Sequence, residues 1–267
     1  MIKVSIVIPS IGRETLKYSI ASASSQNEVS TEVFVIDDSI NQNIEIAGVQ
    51  ILRTGGSKGV SFARNLGVTA ASGDWIAFLD DDDVFISKKL IIQINAMINY
   101  GWDLSYTSSY FFNSKLKRPK RTIIPGIDPF RQIYSKYSFF GSPFYLPLPS
   151  LVVSKEVSRN IKFDESLWER EDLKYVYQAF KKGFTIGQLT DPLVIIKKDQ
   201  KRSLARPSLE QDINWAHYLC SIQKSLCLNF LFFVSLRNRL WCRDFIGAIL
   251  IIKNFLKICI RGQKSFH

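Results

Sequence analysis

Three observations in the sequence predict an α/β protein on a largely parallel sheet with a helical appendage. Through the first 114 residues, short apolar runs of strand type alternate with segments of helical period, the pattern of βα units. Two of those strands run into carboxylates, Asp37-Asp38 and Asp80 to Asp83. The carboxyl ends of strands are where open α/β sheets bind ligands. Beyond about residue 206 the pattern turns helical, hydrophobic and basic. A chain of 267 residues, 46% hydrophobic and 22% charged, buries a large core without metal or disulfide staples, and its composition excludes collagen and disorder.

Val4–Ile8 reads as a buried strand ended by Pro9, and residues 13–25 as a helix. The opening run is too short and too soon broken by proline for a signal peptide, so folded structure is expected at once. Glu32–Ile36 is a second strand and Val49–Arg53 a candidate third. Gly59–Ala71 predicts a helix, and Asp74–Leu79 another buried strand. A further helix carries Ile86, Leu90, Ile94 and Met97 on one face. Residues 110–150 have no clean period and read as a long functional loop with short strands. Leu151–Val153 is strand-like, Glu171–Lys182 a helix, and Gly187–Ile196 the last strand.

The net charge of +11 is concentrated. Residues 115–136 hold seven basic side chains and one acid, and residues 197–267 hold thirteen and four. Such patches suit phosphates, anionic lipid or nucleic acid. In the tail, apolar runs such as Phe245–Ile252 are far short of the roughly 20 residues of a spanning helix. At helical spacing, Arg239, Arg243, Lys253, Lys257, Arg261 and Lys264 fall in one arc. Trp241, Phe245, Ile249, Ile252, Phe255, Leu256 and Cys259 lie opposite, while Asp244, Ile246 and Leu250 break the pattern and Gly247 is a candidate bend. This predicts a basic amphipathic helix in an anionic membrane interface. The competing reading packs the apolar face on the domain. Cys220, Cys227, Cys242 and Cys259 have neither Cys-x-x-Cys spacing nor a suitably placed histidine, so they read as small apolar residues of a reducing cytosol.

Four consecutive aspartates at a strand end repel one another, and a divalent cation bridging to phosphate oxygens resolves the repulsion. Hard oxygen ligands select magnesium or manganese. An acidic turn capping the next helix is the plainer alternative. Asp38 can accept from a base N–H or ribose hydroxyl, or simply make an Asx turn. Gly55 to Gly67 holds neither a Walker loop nor Gly-x-Gly-x-x-Gly. Its glycine-rich entry to a helix bearing Arg64 still suits a diphosphate.

Together these segments resemble glycosyltransferase family 2, which implies a GT-A fold, a Rossmann-like mixed sheet. The resemblance rests on Val4–Ser10, Val35–Ser39, the Gly-Val-Ser-Phe-Ala-Arg-Asn-Leu-Gly segment from Gly59 to Gly67, and Phe-Leu-Asp-Asp-Asp-Asp from Phe78. Phe163-Asp164-Glu165 and Glu171-Asp172 resemble the acceptor-side signatures. The resemblance implies an inverting transferase that uses a nucleotide-sugar donor, in the first place a UDP-sugar, and a divalent cation, Mn2+ or Mg2+. It implies Pro9 and Ser10 beside the base, Asp38 on the uracil or ribose side, and Arg64 near the nucleotide. Asp80 and Asp82 form the Asp-x-Asp signature, with Asp82 foremost as metal ligand and Asp81 a ribose or sugar contact. Asp172 is the implied general base and Glu171 its competitor.

The organisation expected is a catalytic domain over 1–206, with a nucleotide-sugar-binding half (1–110) and an acceptor half (111–206), followed by a basic amphipathic tail over 207–267. Acceptor and place follow from the tail and the family: a lipid-linked or surface-polysaccharide saccharide at the cytoplasmic face of the membrane. The stretch Lys197–Ser203 after the last strand holds no histidine, where family members often carry a His or Arg; Lys201, Arg202 and Arg206 are the substitutes on offer. The rival readings are a nucleotidyltransferase, a non-catalytic sugar binder and a basic nucleic-acid-binding protein. No recognised nucleic-acid motif is present, so no such partner is expected.

Overall fold

The computed structural model describes residues 1–112, 117–118, 122–134, 146–197, 208–236, 239–240 and 244–261. The chain forms two compact units, Met1–Ile127 with Tyr145–Lys198, and Asp128–Phe144 with Asp199–His267. The boundary expected near residue 206 falls in a segment outside the described residues.

In the first unit, β1 (Lys3–Ser10) pairs in parallel with β2 (Ser30–Asp37) and β4 (Trp75–Phe78), and β2 with β3 (Gln50–Arg53). The remaining strands are β5 (Val84–Phe85), β6 (Leu104–Phe111), β7 (Lys117–Arg118), β8 (Val152–Ser154) and β9 (Ile186–Ile196). The order is β3-β2-β1-β4-β8-β6-β9-β5, with β7 on β6. The second half departs from the parallel expectation. β8 runs antiparallel to both β4 and β6, and β5 antiparallel to β9, while β6 and β9 are parallel. A parallel neighbour needs a long crossover, and β8 is reached instead from a turn at Leu148–Ser150.

Strand alternation sends Ile6 and Ile8 to one face of the sheet and Val7 to the other. On the first face, α1 (Leu16–Ser24) and α3 (Lys89–Tyr100) bury Leu16, Ile20, Leu90, Ile94 and Met97 against Ile6, Ile8 and Leu79. On the second lies α2 (Val60–Ala70), where a Cβ on Gly67 would stand 2.5 Å from Val7 Cγ1. That glycine is a packing residue. β6 escaped the sequence reading because Ser105, Thr107, Ser108 and Ser109 are buried in it beside only Leu104 and Tyr106, which breaks any apolar run. Helix α4 (Pro129–Ile133) lies within the stretch read as a loop, its amides at Phe130 and Arg131 donating to Asp128. Helix α5 (Lys155–Asn160) is short and capped by Ser154. Helix α6 (Glu171–Lys181) follows, tied to the sheet by a Phe78, Phe163 and Tyr175 cluster in which Phe163 and Tyr175 stack at 4.4 Å.

The second unit holds α4, α7 (Leu209–Ile222), α8 (Lys224–Asn229), a π-helical stretch at Phe230–Leu236, and α9 (Phe245–Arg261). Phe130, Tyr134, Trp215 and Phe230 form its core, with Trp215 Nε1 donating to the Tyr134 hydroxyl at 2.9 Å. Arg239 corrects the expected basic arc: it is buried and paired with Asp212 at 3.0 Å and Asp244 at 2.7 Å. Asp244 breaks the amphipathic pattern because it caps α9, accepting from the Gly247 amide at 3.0 Å. Gly247 marks a close approach and not a bend, since a Cβ there would lie 2.3 Å from Asp244 Oδ2. Arg243, Lys264 and the side chain of Arg261 lie outside the described residues. Ala248, Ile251 and Ile258 are buried, whereas Phe245, Ile249, Ile252 and Leu256 are exposed alongside Lys253 and Lys257. Among the described residues no helix is long and apolar enough to cross a membrane. Cys220 and Cys227 are buried and Cys259 is exposed.

Candidate active site

Parallel register brings the acidic strand ends together. Ser10 pairs with Asp37, the Asp38 amide donates to the Ser10 carbonyl, and the Leu79 amide to the Val7 carbonyl. Ser10, Asp38 and the Asp80–Asp83 turn therefore share one edge of the sheet.

Asp38 organises the glycine-rich loop. Its Oδ1 accepts from Thr54 Oγ1 and the Lys58 amide, and its Oδ2 from the Gly59 amide at 2.9 Å. A carboxylate has about four acceptor positions, so one remains on Oδ2. Asp37 does the same for the preceding loop, accepting from Ser39 and the Ile44 amide. Pro9 is half-buried at the end of β1. The buried Ser10 hydroxyl donates to Asp81 Oδ2 at 2.7 Å, and Arg13 Nη1 holds Asp81 Oδ1. Asp81 is thus fixed from two sides. Arg13 also stands 3.5 Å from Asp82. The sequence reading passed over Arg13, whose only signal was a basic residue in the turn after the first strand.

Asp80 and Asp82 keep their side chains partly exposed, 38% and 19%. Buried Asp83 accepts from the Lys197 amide at 2.7 Å. Burial, and then the charge of Asp80, push its carboxyl up to about 9, so the turn carries more negative charge than its surroundings neutralise. Among the described residues no group of three or more His, Cys, Asp or Glu is arranged to hold a metal. Two partly exposed carboxylates still fit a divalent cation of the hard class, which is commonly held by one or two carboxylates with the rest of its shell from water and phosphate.

Arg64 is held by carboxylates on both sides. Its guanidinium is buried, with Nη2 on Asp80 Oδ1 at 3.0 Å and Nη1 on Glu171 Oε1 at 2.6 Å. Burial works against its charge, but Asp80 and Glu171 overcome that and hold its pKa above the ordinary value. Asn65, which the sequence reading left without a role, clamps the acceptor-side signature. Its Nδ2 donates to the Phe163 carbonyl and to Glu165, and its Oδ1 accepts from the Phe163 amide. The two motifs, nearly 100 residues apart, are therefore one construction.

Glu171 and Asp172 open α6 directly after Arg170, whose φ of 63° is left-handed. Such backbone costs about 1–3 kcal/mol in a non-glycine residue and gathers at functional sites. Burial, and then the Glu171 charge, push the Asp172 carboxyl up to about 7, where a general base works best at neutral pH. Trp168, also missed, is 67% exposed, and its ring passes 3.6 Å from where a Cβ on Gly59 would stand. Lys201, Arg202 and Arg206 lie outside the described residues.

This arrangement matches known proteins. The Glycosyl transferase family 2 model fits residues 5–154. Over 119 residues the chain is 34% identical to the UDP-Glc:alpha-D-GlcNAc-diphosphoundecaprenol beta-1,3-glucosyltransferase WfgD of Escherichia coli, covering 42% of this chain and 47% of that protein. It is 25% identical over 135 residues to the amylovoran biosynthesis glycosyltransferase AmsB of Erwinia amylovora, 49% of this chain and 44% of that one. The matches thus span about half the length of these relatives. Among solved structures, S. aureus TarS 1–349 in complex with UDP-GlcNAc superposes with a TM-score of 0.70 at 19% identity, over 96% of this chain and 81% of that one. That likeness shows the GT-A fold. The chain belongs to glycosyl transferase family 2.

Proposed function

We propose that this enzyme moves a sugar from a UDP-sugar to a hydroxyl of a lipid-linked, diphosphate-bearing saccharide, with inversion at the anomeric carbon. The observation that carries the reading is the buried Arg64 bridge, which joins Asp80 on the donor side to Glu171, neighbour of the proposed base. The named activity of WfgD, with UDP-Glc as donor and a GlcNAc-diphosphoundecaprenol acceptor, supports the choice of substrate class.

In this reading Pro9, Ser10 and Asp38 border the base, and the remaining Asp38 acceptor position takes a base N–H. Asp81, fixed by Ser10 and Arg13, faces the ribose or sugar. Asp82 and Asp80 hold a divalent cation, Mn2+ or Mg2+, which supplies charge neutralisation for the leaving diphosphate. Asp172 takes the proton of the acceptor hydroxyl as its oxygen bonds to the anomeric carbon. The bond to the UDP oxygen breaks on the opposite side, and UDP leaves with the electron pair. Glu171, paired with Arg64, stands beside Asp172 as a positioning residue. The exposed stripe of α9, Phe245, Ile249, Ile252 and Leu256 flanked by Lys253 and Lys257, is the surface that rests on the anionic cytoplasmic face of the membrane.

Calorimetric titration with UDP tests the donor site. Binding is expected to require Mn2+ and to weaken by about tenfold or more, ~1.4 kcal/mol, in Asp82→Asn. Equal affinity in EDTA, or none for UDP in either buffer, contradicts the reading.

A further inference from the structure

A cavity of 460 Å³ lies between α2 and α5, and none of its lining residues belongs to the acidic cluster. That volume is within the ~300–1,000 Å³ range of small-molecule sites. Lys155, Ser158, Arg159 and Lys162 line one side. Lys155, Ser158 and Arg159 stand at i, i+3 and i+4 on one face of α5, and Lys162 follows just beyond the helix end at Asn160. Asn65, Thr69 and Ser72 line the other at i, i+4 and i+7. One wall is therefore cationic and the facing wall polar, with Ile76 behind it and its Asn65, Thr69 and Ser72 side chains donating to Phe163, Glu165, the Asn65 carbonyl and Glu32.

No carboxylate lines this space. The acids nearest in the hydrogen-bond network stand behind the lining and are already paired: Glu32 with Ser5, Ser72 and Lys3, and Glu165 with Asn65. Lys155 Nζ is anchored on the Ser72 carbonyl at 2.9 Å, which fixes one cation at the cavity wall. Arg159 and Lys162 have no ion-pair partner among the described residues. Three like charges converging on one concave polar space repel each other, and an anion relieves them. A guanidinium fork beside two ammonium groups matches phosphate oxygens well.

We propose that this cavity binds a phosphate-bearing anion, as a second anion site separate from the nucleotide site. The inference goes beyond the transfer reading and does not depend on it. Asn65 connects the two, because the residue that lines this cavity also clamps Phe163 and Glu165 ahead of the proposed base. The phosphate belongs either to a soluble anion or to a lipid headgroup.

The test uses the full chain in EDTA, which withholds the cation that the proposed nucleotide site requires, titrated with pyrophosphate by calorimetry. Three proteins are compared: wild type, Arg159→Gln/Lys162→Gln, and Lys17→Gln/Lys181→Gln, which removes the same charge elsewhere. The exposed positions keep all three folded, as circular dichroism will verify. Wild type and the control pair are expected to bind pyrophosphate alike, with affinity down by about tenfold or more in Arg159→Gln/Lys162→Gln. Identical isotherms in all three, or no binding by wild type, overturn the proposal. Sedimentation with phosphatidylcholine vesicles, with and without phosphatidylglycerol, separates the sources. Given the pyrophosphate loss, a parallel loss of phosphatidylglycerol-dependent binding assigns the site to a headgroup, and unchanged vesicle binding assigns it to a soluble anion.

Discussion

Arg64 pairs with Asp80 and Glu171 at once, and that single side chain fixes how donor-side and acceptor-side acids share a site. Removing it would leave two carboxylates unneutralised beside an already acidic turn. The strain of that turn is concentrated in Asp83, whose carboxyl burial pushes up to about 9. Because this folded pKa lies above the unfolded one, the stability linked to it is complete below about pH 4 and declines as pH rises toward 9. Asp83→Asn, which keeps an acceptor for the Lys197 amide, is therefore expected to raise Tm at pH 8 and to leave it nearly unchanged at pH 4. Thermal melts at the two pH values check this. At this scale the motif residues were legible in the sequence, since strand ends and acid clusters are local features. The partners of Arg64, Asn65 and Asp81 were not, because each lies across the sheet or tens of residues away in the chain.

Helix α2 is the element on which the site turns. Its glycine at 67 lets it lie against Val7 and Ile36, its arginine enters the acidic cluster, and its asparagine holds the segment leading to Asp172. Asn65→Ala removes three hydrogen bonds to Phe163 and Glu165. At about 1 kcal/mol each net, a loss of roughly 2–3 kcal/mol is expected, with kcat falling more than the affinity for UDP. Urea denaturation and UDP calorimetry on the same variant check both halves. Within residues 1–100, β1, β2, β4, α1 and α3 could be read from periodicity because each buries apolar residues in the core. β6 and α5 could not. One is a strand whose buried serine and threonine outnumber its buried apolar residues, and the other a six-residue helix whose i, i+3, i+4 face is polar.

At the scale of the whole molecule, the sheet unit holds the acidic cluster and the helical unit carries an exposed apolar stripe. That unit has its own aromatic core and its own buried Arg239 network, so truncating it would test folding as much as membrane binding. Point changes are cleaner. Ile249→Glu/Ile252→Glu on the exposed face of α9 is expected to release the protein from anionic vesicles with its circular dichroism unchanged; sedimentation with such vesicles measures it. The tail's helical character was legible from composition, whereas the withdrawal of Arg239 from its basic face was not, since only folding brings Asp212 beside it. The central claim is transfer with Asp172 as base, and the most direct measurement follows labelled sugar from UDP-glucose to a GlcNAc-diphosphate lipid in wild type and Asp172→Asn across pH. Transfer by wild type is expected to rise with pH through an apparent pKa near 7, and to fall about 10²–10⁴-fold in the variant while UDP still binds. A variant that transfers at the wild-type rate, with the same pH profile, would contradict the account.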